Sequence, residues 1–258
     1  MSYLEKKEVR EASAVLQVFA QLFAPLSEAA FSELAKSDDW QGFTQKAHLF
    51  LAEGPQPVAL DLTAADLVNL PSHQQLSAFY SCHFTGGLPQ SVMAVESPYR
   101  PWTTRAGAAL IFGGQKGYCQ GDAACHMRHL YQSLDIQIAR DGLQADHISM
   151  ELSFAALLIR HGQPTDFIGF FDDHLTWLPD FYEQMHQRVP GSTPENRFML
   201  ALTASLIGFL RLLQTSMLAK ADALAKLQET QRGTPSLTHL HTSSSPNDPE
   251  KQRRINAR

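Results

Sequence analysis

The side chains with the most chemical potential lie in one short run, Asp146-His147-Ile148-Ser149-Met150-Glu151. On a helix, residues four apart share a face, so His147 and Glu151 become neighbours. A carboxylate beside an imidazole can grip a guanidinium in bidentate fashion. With a third ligand such as His174 it can also hold a metal ion of the kind used in hydrolysis. The plainer reading is Asp146 as an N-cap followed by a helix-surface pair, and spacing alone does not choose between these. Cys119, Cys125 and His126 lack the second well-spaced pair that a zinc site wants. His239 and His241 stand in a polar tail. Nucleophile-elbow, phosphate-loop and dinucleotide fingerprints are absent. Gly113-Gly114-Gln115-Lys116-Gly117 lacks the spacing and flanking strand of a phosphate loop. The expectation is therefore a protein that is not an enzyme and has no cofactor and no catalytic or metal residues. A metal-dependent hydrolase using His147, Glu151 and His174 is one alternative. A generic helical interaction protein is the other.

The elements that must position these residues are helical. Leu16, Phe19, Ala20 and Phe23 follow the spacing of an amphipathic helix. Met127, Leu130, Tyr131, Leu134 and Ile138 repeat it after Asp122, the expected N-cap. Ile148, Leu152, Phe154, Ala155, Leu158 and Ile159 form an almost wholly apolar helix ending near Gly162. Thr193-Pro194-Glu195 opens a helix running to about Leu227, with proline where its missing N–H costs nothing. Shorter helices are expected over 27–37, 63–70, 72–84 and 165–174. His174 through Phe181 reads as a helix end, a proline break and a new helix. No alternating β-branched series or hairpin dipeptide predicts a strand.

The exception is the stretch from Gly86 to Gly121, rich in proline and glycine. Met93, Tyr99, Trp102 and Phe112 within it are costly to leave loose, so much of it should pack on the helices. The fold class expected is all-α: one helical bundle over 1–230, with parts at about 1–120 and 121–230. A disordered polar tail over 231–258 should follow.

Length, charge and cysteine use narrow the function. The chain has 258 residues and a net charge of −5, unevenly spread. Between Asp122 and Glu183 there are ten acids against Arg128, Arg140 and Arg160. Such a field attracts cationic partners and repels nucleic acid; its bland alternative is a solvated acidic face. Charges in the first eight residues stand where a signal peptide needs its apolar stretch. Phe198 to Leu213 is short for a membrane span and carries Arg211. Three cysteines form no paired framework. These features predict a cytoplasmic protein with no stable membrane insertion.

Four segments, in order, resemble the TorD/DmsD family of molybdoenzyme maturation chaperones, with NarJ-type chaperones as more distant kin. They are the helix end Tyr80 to Phe84, the loop Glu96-Ser97-Pro98-Tyr99, the run Ala145-Asp146-His147 with Glu151-Leu152, and His174 through Phe181. Ala145 departs from the family's usual proline, and the basic tail has no counterpart. The resemblance implies an all-α bundle of N- and C-terminal helical parts joined through the Asp-His segment, as a monomer or a dimer that exchanges halves. It implies binding of a twin-arginine leader and the apo-form of a molybdopterin-dependent oxidoreductase, holding back export until the cofactor is in place. On this reading Asp146 and Glu151 face the arginines and His147 orders the hinge. Glu96 adds an acid, Tyr99 and Trp102 contact the apolar part, and His174 and Trp177 complete the surface. Alternatively, the Asp-His motif only fixes the helix start.

Overall fold

α1 (Tyr3–Leu22) and α7 (Ile148–His161) form the axial pair, packed along much of their lengths. Each supplies an apolar stripe: Leu16, Phe19 and Phe23 from α1 and its end, Leu152, Ala155 and Ile159 from α7, all buried. This is the computed structural model of the protein, and it describes residues 3–55, 61–104, 113–136 and 142–232. Around the pair stand α2 (Glu28–Lys36), α3 (Asp38–Glu53), α4 (Ala64–Val68), α5 (His73–His83), α6 (Asp122–Ser133), α8 (Pro164–His174), α9 (Leu178–Arg188) and α10 (Pro194–Arg232). Among the described residues there is no strand, and the fold is all-α as expected.

The chain divides into two units, Met1–Ala221 and Asp222–Arg258. The first holds the core. In the second, α10 continues to Arg232 with exposed side chains from Asp222 to Glu229. The expected tail over 233–258 lies outside the described residues, as do Phe112 and Ile138. α10 is long and apolar enough to cross a membrane, but 78% of its most apolar window is buried within the protein, which is the signature of a core helix.

Three local readings are corrected. α3 was not anticipated, although Trp40, Phe43, Ala47, Phe50 and Leu51 line its buried face. It begins immediately after α2 because Ser37 serves both helices. Its hydroxyl donates to the Leu34 carbonyl at 2.8 Å and accepts from the Trp40 N–H at 3.1 Å. Asp122 is not an N-cap. Gly121 is, and the Asp122 carboxylate instead accepts from the Thr103 hydroxyl and the Thr104 N–H, both at 2.9 Å. α6 stops at Ser133, and Asp135 turns the chain away in the left-handed region (φ 52°).

Where the end of α3 meets α10, side chains are excluded. A Cβ on Gly208 would lie 2.0 Å from the Phe50 carbonyl oxygen, and one on Gly54 would lie 2.2 Å from the Ala204 carbonyl oxygen. The approach lets Phe50 and Phe209 meet edge to face at 5.0 Å, continuing a cluster with Phe19 and Phe43. Replacing Gly208 with alanine forces two backbones apart. It should cost about 3 kcal/mol or more, read as a lowered denaturant midpoint at unchanged slope. A loss under about 0.5 kcal/mol would show that the two helices separate freely.

α4 is tied to α10 by Arg197, which donates to both oxygens of Asp66 at 2.7 and 2.9 Å. Burial pushes the Asp66 carboxyl up, but the Arg197 and Thr63 hydrogen bonds outweigh it and hold it below the usual carboxylate range. A lowered folded value means the unfolded chain binds the proton more readily. The stability this pair contributes is present at neutral pH and is lost as pH falls through the folded value. Arg197→Met should therefore cost about 1 kcal/mol at pH 7 and progressively less toward pH 3, measured by urea titration.

Candidate functional site

The segment Ala94 to Ser97 is zipped onto the start of α7. Val95 and His147 pair as an isolated antiparallel bridge, the Glu96 N–H donates to the Asp146 carbonyl at 2.9 Å, and the Ile148 N–H donates to Ala94 at 3.0 Å. Asp146 reinforces the seam: one carboxylate oxygen accepts from both the hydroxyl and the N–H of Ser97. The Ser97 hydroxyl oxygen also lies 3.3 Å from the Gly121 N–H. Two motifs fifty positions apart in the chain thus meet at one junction. The N-cap of α7 is His147, not Asp146, because the imidazole Nδ1 accepts from the Ser149 N–H at 3.2 Å. Burial pushes the His147 imidazole down to about 4, so it is neutral and its lone pair is free to cap.

Behind the seam lies a buried acid–histidine cluster. Glu96, Glu151 and His174 each offer a ligand atom within 4.8 Å of the others. Glu96 is held from two sides: His174 Nδ1 lies 2.8 Å from Oε2, and Arg100 Nε donates to Oε1 at 3.0 Å. His174 Nε2 continues to His126 Nδ1 at 2.8 Å, and His126 reaches the surface. Arg100 is fixed in turn by the Thr176 hydroxyl at 2.6 Å and the Asp173 carbonyl at 3.2 Å. Glu151 accepts from Trp177 Nε1 at 3.0 Å through Oε2, and its Oε1 is buried with no donor in reach. Trp177 stacks on Tyr99 at 5.1 Å, and the Tyr99 hydroxyl lies 2.9 Å from Gln184 Oε1 and 3.1 Å from the Met93 carbonyl oxygen.

The electrostatics follow from this crowding. Complete burial first, then the neighbouring Glu96 charge, raise the Glu151 carboxyl well above the usual range, against the Trp177 hydrogen bond. Both effects favour the protonated form of Glu151, because burial beside a second carboxylate penalises its charged form. Asp146 is also raised, by burial, with the two Ser97 hydrogen bonds opposing.

Seven of the eight site residues read from sequence are brought together: Glu96, Tyr99, Asp146, His147, Glu151, His174 and Trp177. All seven are buried, and Asp146 and Glu151 have no exposure at all. In Asp146 one oxygen accepts from Ser97 and in Glu151 one accepts from Trp177, while Asp146 Oδ1 and Glu151 Oε1 are buried without a partner. Trp102 remains on the loop, half-buried, its backbone bonded to Gln115 and Asp122. The triad supposed for a metal changes too. Glu96 takes the place expected of His147, whose Nδ1 is committed to the helix cap. Sequence reading missed Arg100 and His126. Arg100 stands four residues after Glu96, a spacing that pointed to the pair.

Among the described residues this is an all-helical body in which a loop is joined to a helix start by buried acids and histidines. It places the protein among TorD-like redox enzyme maturation proteins. More particularly, the chain belongs to the nitrate reductase delta subunit family, whose model matches residues 51–183. The match spans the loop, the seam and the cluster. The family makes this a molybdoenzyme maturation chaperone in general terms, a chaperone-type protein with a molybdoenzyme catalytic subunit as partner. No curated protein and no solved structure matches the chain.

Glutamine at 151 removes the charge and keeps a carbonyl that can accept from Trp177. Glu151→Gln should stay within about 1 kcal/mol of the parent, whereas Glu151→Ala strands two buried polar groups and should lose about 2–4 kcal/mol. In metal-free buffer the parent should lose stability as pH rises above the ordinary carboxylate range. There the unfolded chain releases a proton that the folded chain keeps. Glu151→Gln should remove that slope, and equal slopes in chemical denaturation would refute the protonated state.

Proposed function

We propose that this protein is a cytoplasmic, system-specific chaperone that binds the twin-arginine leader and the apo-form of a molybdopterin-dependent oxidoreductase. It assists cofactor insertion and holds back Tat export until insertion is complete. It acts as a monomer or a half-exchanging homodimer. The observation that carries the leader reading is an apolar groove with exposed acids next in the chain to residues that line it. The groove lies between α8, α9 and α10 and is lined by Phe171, Leu175, Leu178, Pro179, Ile207 and Leu210. Asp172 and Asp173, at the end of α8, are exposed beside it, and Asp180 on α9 is exposed and paired with Lys116 at 3.0 Å. Arg211, at the groove's edge, is engaged by the Glu53 carbonyl at 3.0 Å.

A twin-arginine leader is cationic, then apolar. It needs carboxylates that desolvate cheaply and an apolar trough beside them, as in helix-in-groove recognition. Exposed Asp172 and Asp173 meet the first need at less cost than buried Asp146 and Glu151, whose removal from internal donors would leave polar atoms unpaired. In this proposal Asp146, His147, Glu96, Glu151, His174 and Trp177 hold α8 and α9 in place. Tyr99 packs behind them, and Trp102 on the loop contacts the apolar part of the leader.

The test is calorimetric titration with synthetic leaders from the molybdoenzymes of the same host, using Lys-Lys versions as controls. Binding at micromolar or tighter affinity, lost with Lys-Lys, is expected. Asp172→Asn with Asp173→Asn should weaken it about fivefold or more, most strongly at low salt. Asp146→Asn should lower stability and leave affinity unchanged. Equal binding of Arg-Arg and Lys-Lys leaders would instead mark a generic helical interaction protein.

A further inference from the structure

The buried cluster is constructed like a coordination site seen from its outer shell. Each of its three members has one polar atom turned to the others and the second atom fixed from outside. The outer oxygen of Glu96 is held by Arg100 at 3.0 Å, that of Glu151 by Trp177 Nε1 at 3.0 Å, and the outer nitrogen of His174 lies 2.8 Å from His126. Metal-binding side chains are oriented in this way, the far atom of each ligand spent on a neighbour. The inner atoms are Glu96 Oε2, His174 Nδ1 and a Glu151 oxygen. Glu151 is fully buried, and its Oε1 has no hydrogen-bond donor.

We propose that Glu96, Glu151 and His174 form a buried binding site for one divalent first-row metal ion of the Zn2+ class. Two carboxylates and an imidazole suit such an ion, and two negative charges neutralise it. Metal–oxygen and metal–nitrogen distances of about 2.0–2.2 Å set tetrahedral ligand atoms about 3–4 Å apart. The present spread, within 4.8 Å overall and 2.8 Å between Glu96 and His174, reaches that with sub-ångström side-chain shifts. His126, exposed at the outer end, marks the side from which the ion enters. Bound there, it would tie the loop to α7 and α8. The inference is independent of leader binding.

The full chain, stripped with chelator, is titrated with Zn2+ in competition with a chromophoric chelator. One site per chain at about 1 µM or tighter is expected, with a rise in melting temperature on saturation. Glu151→Gln, which keeps a carbonyl that can accept from Trp177, should weaken it at least about tenfold, and Glu96→Gln should do the same. Both variants are checked for helicity by circular dichroism. His239→Asn with His241→Asn should leave the site intact. Co2+ should give a visible absorption band that vanishes in Glu151→Gln. The proposal is overturned by the absence of a stoichiometric site in the parent, or by binding that survives both glutamine variants and disappears with the tail histidines.

Discussion

The interaction on which the rest depends is the close approach of two buried carboxyl groups, Glu96 and Glu151. Each comes from a different part of the chain, one from the irregular loop and one from α7, and each is useless without the other's surroundings. Glu96 is tolerable there because Arg100 and His174 sit on it. Glu151 is tolerable because Trp177 donates to it and because burial raises its carboxyl toward the neutral form. Buried ionisable groups of this kind are paired or neutralised, since an isolated charge in a low-dielectric interior is far too costly. The pocket therefore works as a lock. It closes only when the loop, α7, α8 and the start of α9 are all in register.

That lock explains how the described part of a proline- and glycine-rich segment around Glu96 is held. Backbone N–H and C=O groups in a buried loop need partners, and here α7 supplies them through the Val95–His147 bridge and the Asp146–Ser97 pair. The aromatic chain Tyr99–Trp177–Phe181–Phe23 then carries the junction into the hydrophobic core. Burial of these rings supplies the favourable term, and the polar seam supplies uniqueness of register. Elsewhere the packing has its own constraint. Gly54 and Gly208 let α3 and α10 touch backbone to backbone, which brings Phe50 and Phe209 into the cluster around Phe19.

The same economy separates the residues that hold the frame from those that can meet a partner. Asp146 and Glu151 are buried, and each has one oxygen engaged by an internal donor. Asp172 and Asp173 project from the frame into solvent beside an apolar groove, where contact with a cationic segment costs little. A maturation chaperone must release its client, so a rim of partly solvated charges over a modest apolar trough suits the task better than a deeply buried ion pair would.

Much of this was determined by the sequence alone. Helical periodicity, proline at first turns and the absence of strand patterns specified an all-α body, and the order of the Glu-Ser-x-Tyr, Asp-His and His-x-x-Trp motifs pointed to the family and to seven of the residues that meet. Local spacing is sufficient for these because helices and their caps are short-range. What only the tertiary structure decided was exposure. Asp146 and Glu151 read in sequence as surface acids, since an acid in a helix start is normally solvated. Their burial depends on a loop fifty residues away folding over them. The exchange of His147 for Asp146 as the cap has the same origin, because Ser97 claims the aspartate first. The pairing of Glu96 with His174 and the two-glycine crossing of α3 and α10 are likewise contacts between distant segments, and no periodicity within one segment encodes them.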